Sequence, residues 1–432
     1  MVGGEGGPEQ DPAARLEAAL ARHAPDWRTL VVAFSGGPDS TLLLAAAARL
    51  APKRRLRVIH VDHGWHPDSA AWARHCWRVA AGLGLRCELL QVDPEAAGGE
   101  GPEAAARRAR YRSLADRVGS GDVLLTAHHR DDQAETLLLA LLRGGGIHGW
   151  AGMPPARPFG AGGMHLRPWL GLARTRLREW HDHWGLESLS DPANEDPRYE
   201  RAWLRQSVLP VLRERWPETE ATLARAAGQA AEAADAIDAL AARDFVACRG
   251  HYGDTLDCDA LATLPEPRRR ALLRWWIDRN GLPRPPAVRL TDLERQLRTA
   301  RRDRNPCVRW PGGEVRRWRG EAWALAPRPP VQPGQEHVWP DPRWPLELPD
   351  RVLGPEALAA LGVEIPSGAD VRVRYRQGGE RLRLPGMRQA RPLKTLLSER
   401  GVPPWERDRV PLIFVDGELA AVIGLGRAVA ND

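Results

Sequence analysis

Apolar residues fall in short blocks along the first third of the chain, and each block is followed by a stretch with helical spacing. Leu30-Val31-Val32-Ala33-Phe34 is an unbroken apolar run of strand length. The pattern predicts a leading helix over 13–23, where Leu16, Ala19, Leu20 and His23 share one face. It then predicts strands over 30–34, 56–61, 86–92 and 122–127, and helices over 39–50, 69–82, 102–118 and 131–143. Apolar strands alternating with helices imply an α/β fold, a doubly wound parallel sheet covered on both faces. Ligands of such sheets bind beyond the carboxyl ends of the strands.

The rhythm changes after Arg143. Residues 144–163 are rich in Gly and Pro and read as a loop; helices are expected over 175–184 and 201–215, the second interrupted near Pro210. An alanine-rich helix is predicted over 218–248, with further helices over 268–280 and 290–298. Prolines crowd residues 326–350, while Val371, Val373 and Tyr375 alternate and Leu412–Val415 and Leu419–Ile423 read as strands. The expected organisation is therefore a catalytic domain over 1–215, a helical domain over 216–325, a linker over 326–350 and a small α+β domain over 351–432.

Ser35-Gly36-Gly37-Pro38-Asp39-Ser40 joins the first of these strands to its helix. Such a turn aims backbone N–H groups and a helix N-terminus at one point, which suits an anion. Glycine lets the backbone approach a phosphate without a Cβ in the way. Ser35 and Ser40 add hydroxyls, and Asp39 can hold Mg2+ against phosphates. The lysine of the usual P-loop is missing, which turns the expectation away from simple γ-phosphate chemistry.

Composition narrows the picture modestly. Apolar content of 43% and charged content of 27% are those of a soluble globular protein. No apolar run approaches the length of a membrane span, and the Gly-rich, acidic start is unlike a signal peptide. Five cysteines, at 76, 87, 248, 258 and 307, show no metal-binding spacing and fit a reducing cytoplasm. A formal charge of +6 is compatible with a polyanionic partner. Lysine occurs only at Lys53 and Lys394; coding bias accounts for most of the arginine excess.

Three other clusters fall at predicted strand ends or on helices. His60-Val61-Asp62-His63-Gly64 closes the second strand; Asp62 and His63 fit either nucleotide or Mg2+ binding or a plain polar strand end. Arg107 and Arg110 share a helix face, as a phosphate or RNA contact or as a solvated basic face. Thr126-Ala127-His128-His129-Arg130-Asp131-Asp132-Gln133-Ala134-Glu135-Thr136 joins a strand end to a helix start. Asp132 and Glu135 project from one helical face, where they can bind a cation or complement the helix dipole. Arg143 precedes three glycines in what reads as a phosphate-facing loop.

The turn resembles the SGGxDS motif of the ATP pyrophosphatase superfamily. With HVDHG, AARRARY, AHHRDDQAET, LRGGG, GWAGM at 149–153 and Leu166-Arg167-Pro168-Trp169-Leu170, the chain resembles the tRNA(Ile)-lysidine synthetase family. Asp191-Pro192-Ala193-Asn194 and Arg201-Ala202-Trp203-Leu204-Arg205 resemble family segments in which Ser and Asn stand where this chain has Ala193 and Ala202. The tail segments around Arg376–Arg381, Lys394 and Trp405–Asp408 resemble the C-terminal domain of longer members.

The resemblance implies that ATP adenylates the wobble cytidine of a CAU-anticodon tRNA(Ile), that L-lysine displaces AMP, and that Mg2+ assists. It implies ATP binding by Ser35, Gly36, Gly37, Pro38, Asp39, Ser40, Asp62, His63 and Arg143, with Asp39 also holding Mg2+. It implies catalytic roles for Asp39, His128, Asp132 and Glu135, the last two binding lysine. It implies tRNA contacts by Arg107, Arg110, Arg205, Arg376, Arg381, Lys394 and Arg407. A homodimer is an open expectation. The competing readings are a tRNA thiolase of the same superfamily, which normally needs a reactive cysteine, an amidotransferase-type synthetase, for which Met1-Val2 offers no glutaminase cysteine, and a nonenzymatic tRNA-binding protein.

Overall fold

The computed structural model describes residues 11–62, 64, 68–93, 102–189, 196–300, 304–366 and 368–429. His63 and residues 191–194 lie outside the described residues. The chain divides into two compact units, residues 1–237 and 238–432.

The first unit opens with α1 (Pro12–His23), whose N-terminus is capped by the Asp11 carboxylate accepting the Ala13 N–H at 2.8 Å. There follow β1 (Thr29–Ala33), α2 (Pro38–Leu50), β2 (Leu56–Asp62), α3 (Ser69–Gly82), β3 (Cys87–Gln91), α4 (Pro102–Ala115), β4 (Asp122–Leu125) and α5 (Arg130–Leu142). Each answers an expected element to within a few residues. β1 lies between β2 and β4 and pairs with both in parallel, Val31 standing opposite Arg57 on one side and Leu124 on the other. Side chains alternate across the sheet. Leu30, Val32 and Phe34 enter a core shared with α1 and α2, while Val31 joins Ile59, Leu90, Leu114 and Leu124 on the opposite face.

The expected loop over 144–163 holds more structure. It contains α6 (Ile147–Trp150) and β5 (Ala156–Phe159) and leads into β6 (Gly163–Leu166). β6 joins β4 in parallel and β5 closes the edge in antiparallel, giving the order β3-β2-β1-β4-β6-β5. Pro158 is tolerated because β5 is an edge strand. Next come α7 (Arg174–His183), α8 (Glu200–Trp203) and α9 (Leu209–Arg215). The interruption expected near Pro210 is a π-helical segment, Leu204–Val208, in which the Leu209 N–H reaches back to Leu204 O. Proline's ring excludes the carbonyl four residues earlier, and the widened turn accommodates it.

The second unit corrects the expectation of a purely helical middle. Helices Glu266–Arg279 and Ala287–Thr299 pack with a four-stranded antiparallel sheet ordered Leu256–Asp257, Glu321–Leu325, Gly313–Trp318, Cys307–Trp310. The proline-rich stretch 326–350 is also structured. Glu336–Val338 pairs with Val371–Tyr375, and Trp339 is buried, its backbone N–H donating to Val371 O at 2.8 Å. Pro411–Val415, Glu418–Val422 and Gly426–Arg427 complete a five-stranded antiparallel sheet. Among the described residues no helix is long and apolar enough to cross a membrane.

The β1–α2 turn depends on one glycine conformationally. Gly36 has φ +84°, and a Cβ there would lie 3.0 Å from Cys76 Sγ on α3 and 3.1 Å from Leu189 Cδ1. Gly37 has an ordinary φ of −73°, and its Cβ would meet only Ser35 Oγ at 3.7 Å. Gly36→Ala is therefore expected to destabilise the protein by about 1–3 kcal/mol, while Gly37→Ala leaves stability nearly unchanged, as read by chemical denaturation monitored on the first unit's transition.

Candidate active site

Parallel pairing places the β1–α2 turn beside the β4–α5 connection, and a cavity of about 240 Å³ opens between them. The turn contributes Ser35, Gly37, Pro38, Asp39 and Ser40; the connection contributes Thr126, His128, His129 and Asp132. Arg110 and Tyr111 of α4, Arg174 of α7 and Arg205 of the π segment complete the wall.

The turn is braced internally. The Ser40 hydroxyl donates to Gly37 O at 3.0 Å and accepts the Ser35 N–H at 3.3 Å, with Ser35 Oγ 3.0 Å away. Thr41 also donates to Gly37 O, at 2.9 Å. Ser40 thus shapes the turn as well as lining the cavity. Asp39 stands in the first turn of α2 with one carboxylate oxygen 3.7 Å from His129 Nε2 and the other, Oδ1, buried without a hydrogen-bond partner among the described residues. Burial raises its pKa, against the pull of His129 and Arg174. An orphaned, desolvated carboxylate oxygen facing a cavity fits a cation. Among the described residues no three metal-ligating side chains converge, so Mg2+ would be held by Asp39 together with phosphate oxygens and water, its usual manner of binding.

His129 and Arg205 sit among the carboxylates of the acidic side. His129 Nε2 lies 3.5 Å from Asp132 and its Nδ1 3.9 Å from Asp131. Asp132 Oδ2 accepts the His129 N–H at 3.0 Å, half of a capping box, while Oδ1 takes Arg205 at 2.9 Å. Burial alone would raise the Asp132 pKa, but His129, His128 and Arg205 hold it below the ordinary value. Arg205 also grips both oxygens of fully buried Glu135, with Arg201 3.7 Å away. Asp132 thus serves the helix terminus through the His129 N–H, and the cation it meets is Arg205 of this chain.

On the other side Arg110 and Tyr111 line the cavity, with further arginines behind them. Arg107, Arg110 and Arg157 surround the Tyr111 ring at 5.1–5.7 Å, and among the described residues no ion pair ties them to a carboxylate. His128 sits between the two sides. Burial, aided by Arg167, Arg110 and Arg107 and opposed by Asp132, depresses it to about 3, so it is neutral at physiological pH.

Several sequence-based assignments fall elsewhere. Arg205, expected on an RNA surface, folds onto Asp132 and Glu135. Arg143 does not line the cavity; it is exposed and paired with Glu200. Asp62 closes a turn by accepting the Gly64 N–H at 2.8 Å and is not part of the cavity wall. In the second unit Arg376 pairs with Asp408 at 3.1 Å and Glu380 at 3.5 Å, and Arg381 donates to Ala390 O at 2.6 Å. Lys394 is exposed. Arg407 donates to Val402 O at 2.9 Å, and burial together with Arg319 and Arg376 lowers its pKa. Sequence reasoning passed over His129, Tyr111, Arg174 and Thr126 as site residues. His129 and Thr126 stood inside a motif already singled out; Arg174 carried no signal.

Comparison with known proteins identifies the family. Family models match as a PP-loop domain over residues 9–212, a TilS substrate binding domain over 256–323 and a TilS substrate C-terminal domain over 371–431. The tRNA(Ile)-lysidine synthase of Alkalilimnicola ehrlichii is 43% identical over 92% of this chain and 89% of its own length. That of Pseudomonas aeruginosa is 42% identical over 96% and 94%. Among solved structures, the U34-tRNA thiolase NcsA from Methanococcus maripaludis aligns at 13% identity and TM-score 0.43, over 52% of this chain and 80% of that one. By its three domain matches and its full-length relatives, the chain belongs to the tRNA(Ile)-lysidine synthase family, ATP-using ligases built on a PP-loop domain.

Proposed function

We propose that the chain ligates L-lysine to C2 of the wobble cytidine, position 34, of the CAU-anticodon tRNA(Ile), producing lysidine and switching the tRNA from Met/AUG to Ile/AUA. The observation that carries this reading is the meeting, in one cavity, of the glycine turn and Asp39 with Asp132, which Arg205 ties to the buried Glu135 behind it. Cytidine O2 attacks the α-phosphorus of ATP and pyrophosphate leaves. The lysine amine then attacks C2, and AMP departs carrying O2 while the amine's proton goes to solvent. The turn's N–H groups and Arg110 would hold the phosphates. Mg2+ held at Asp39 would neutralise charge on the departing pyrophosphate. The cytidine must leave any stack to enter, as anticodon bases can.

Lysine carries an ammonium and a carboxylate on one carbon. Asp132 and Glu135 would take the ammonium, and Arg205, lodged between them, would turn to the carboxylate. The distal amine is then free to react in its unprotonated form. Exposed Lys394 would meet a tRNA phosphate directly, and Arg376, Arg381 and Arg407 would do so by exchanging their contacts within the second unit, in the cytoplasm where tRNA, ATP and lysine occur together. The thiolase alternative is disfavoured by the thiols. Burial pushes Cys76 up to about 12 and Cys87 up to about 11, so neither offers a thiolate.

Mass spectrometry of a CAU-anticodon tRNA(Ile) transcript after incubation with ATP and lysine tests the assignment directly. A product heavier by lysine less water at the wobble base is expected, and an unmodified transcript overturns it. Asp39→Asn is expected to abolish pyrophosphate release while tRNA binding persists. It should also raise the melting temperature of the ligand-free protein at pH 7. Because burial raises the Asp39 pKa, its ionised form opposes folding above the ordinary carboxylate range; below that range Asp39 is neutral and the gain should vanish. Glu135→Gln should raise the lysine KM by about one to two decades, the worth of one charge-assisted hydrogen bond of roughly 1.5–3 kcal/mol, with the ATP KM little changed. Steady-state kinetics at saturating tRNA read this, and an unchanged lysine dependence would confine Glu135 to anchoring Arg205.

A further inference from the structure

Beneath the cavity lies a chain of polar side chains that the reaction as described does not use. Arg167 is buried, 4% exposed, and donates from one terminal nitrogen to Pro154 O at 2.7 Å. Its other terminal nitrogen lies 3.2 Å from His165 Nδ1. His165 is fully buried, and its Nε2 lies 2.8 Å from Thr126 Oγ1. The same hydroxyl lies 2.8 Å from His128 Nδ1. The sheet builds this contact. β4 and β6 pair with Leu124 opposite His165, and the Thr126 N–H donates to Leu166 O at 3.2 Å. The rings of Tyr111 and Phe159, 5.6 and 5.5 Å from that of His165, pack about the imidazole.

Only one direction of donation satisfies every member. A guanidinium has donors and no acceptor, so His165 Nδ1 must accept from Arg167. A neutral imidazole has one N–H, which His165 must therefore carry on Nε2 and donate to Thr126 Oγ1. The hydroxyl has two lone pairs but one proton, and among the described residues the acceptor within its reach is His128 Nδ1, so the proton is given there. His128 is left with its N–H on Nε2, in a ring that lines the cavity. Burial, reinforced by Arg167 and Arg157, depresses His165 to about 2, which keeps it the neutral link this polarity needs.

We propose that Arg167, His165 and Thr126 are positioning residues that lock His128 as the Nε2–H tautomer, making it a fixed neutral hydrogen-bond donor to a phosphoryl oxygen of ATP rather than a base. The identity of the oxygen rests on the proposed function, which puts ATP in this cavity; the tautomer does not. A neutral donor suits a cavity that must also admit a cationic amino acid. It stabilises charge growing on phosphate oxygen without adding a positive charge that would repel the lysine. In general, the hydrogen bond made by one ring nitrogen decides which nitrogen of a histidine carries the proton.

The test begins with the full-length wild-type protein, labelled with nitrogen-15 at histidine. Long-range proton–nitrogen spectra at neutral pH assign His128 by the signal lost in His128→Asn. The expected pattern is a neutral ring with Nε2 protonated and Nδ1 bare. A ring protonated on Nδ1, or on both nitrogens, overturns the proposal without any functional assay. Thr126→Val removes the hydroxyl at nearly constant volume and should shift His128 toward mixed tautomers. It should also lower kcat for tRNA-dependent pyrophosphate release by about a hundredfold, the lower end of the range for full loss of one oriented donor, with the ATP KM little changed. Thr126→Ser should restore both. A Thr126→Val protein with wild-type spectrum and kcat also overturns the relay. If Thr126→Val does not fold, the wild-type spectrum decides. An intact Nε2–H signal in a protein that makes no lysidine would count against the proposed function and leave the relay standing.

Discussion

Parallel pairing of β1 with β2 on one side and β4 on the other governs everything else in the first unit. Parallel neighbours end at the same edge, so the β1–α2 turn and the β4–α5 connection, some ninety residues apart in sequence, emerge side by side. Both are followed by helices whose N-termini point back at that edge. The cavity inherits from this its backbone donors and its first-turn acids. β6 extends the same sheet on the far side of β4 and brings His165 under Thr126. A sheet of mixed direction in which β4 ran opposite to β1 would put these groups at opposite ends of the unit.

The second constraint is electrostatic. Carboxylates and guanidiniums share one small cavity, and left mixed they would neutralise one another in ion pairs with no reason to bind anything. The fold pairs Arg205 with Asp132 and Glu135 and keeps other arginines apart. Asp39, Asp132 and Glu135 gather around His129 and Arg205, while Arg107, Arg110 and Arg157 gather around an aromatic ring. Tyr111 offers the arginines a π face where a carboxylate would have quenched them. The cavity can therefore present opposite signs to an anionic nucleotide and a cationic amino acid at the same time.

Much of this was legible in the sequence, for identifiable reasons. The β1 and β4 motifs could be placed together because continuous apolar strands imply a parallel sheet, and such sheets bind ligands at one edge. What escaped notice depended on long-range geometry. Arg205 reaches Glu135 across seventy residues and Arg143 reaches Glu200 across fifty-seven; no local pattern announces either pair. β5 and β6 are four residues long and carry Pro158 and Gly163, too short and too interrupted for their alternation to stand out. The strands at Cys307–Trp310 and Gly313–Trp318 do alternate, with Val308, Trp310 and Val315 buried. Their arginine-rich outer faces and the strong helices before them hid the pattern.

Three irregular features of the first unit lie beside the cavity. Gly36 holds a positive φ, the helix at Leu204–Val208 opens into a π turn beside the acids, and Asp39 buries an oxygen with no hydrogen-bond partner among the described residues. The positive φ costs glycine little, whereas the π turn and the buried carboxylate oxygen each cost folding free energy. The last two adjoin the same space: Asp39 Oδ1 has no hydrogen-bond partner among the described residues, and Arg205 sits on carboxylates at a point where the helix is loosest. A cation bound at Asp39 would, by linkage, return to the fold part of the stability that this buried carboxylate withholds.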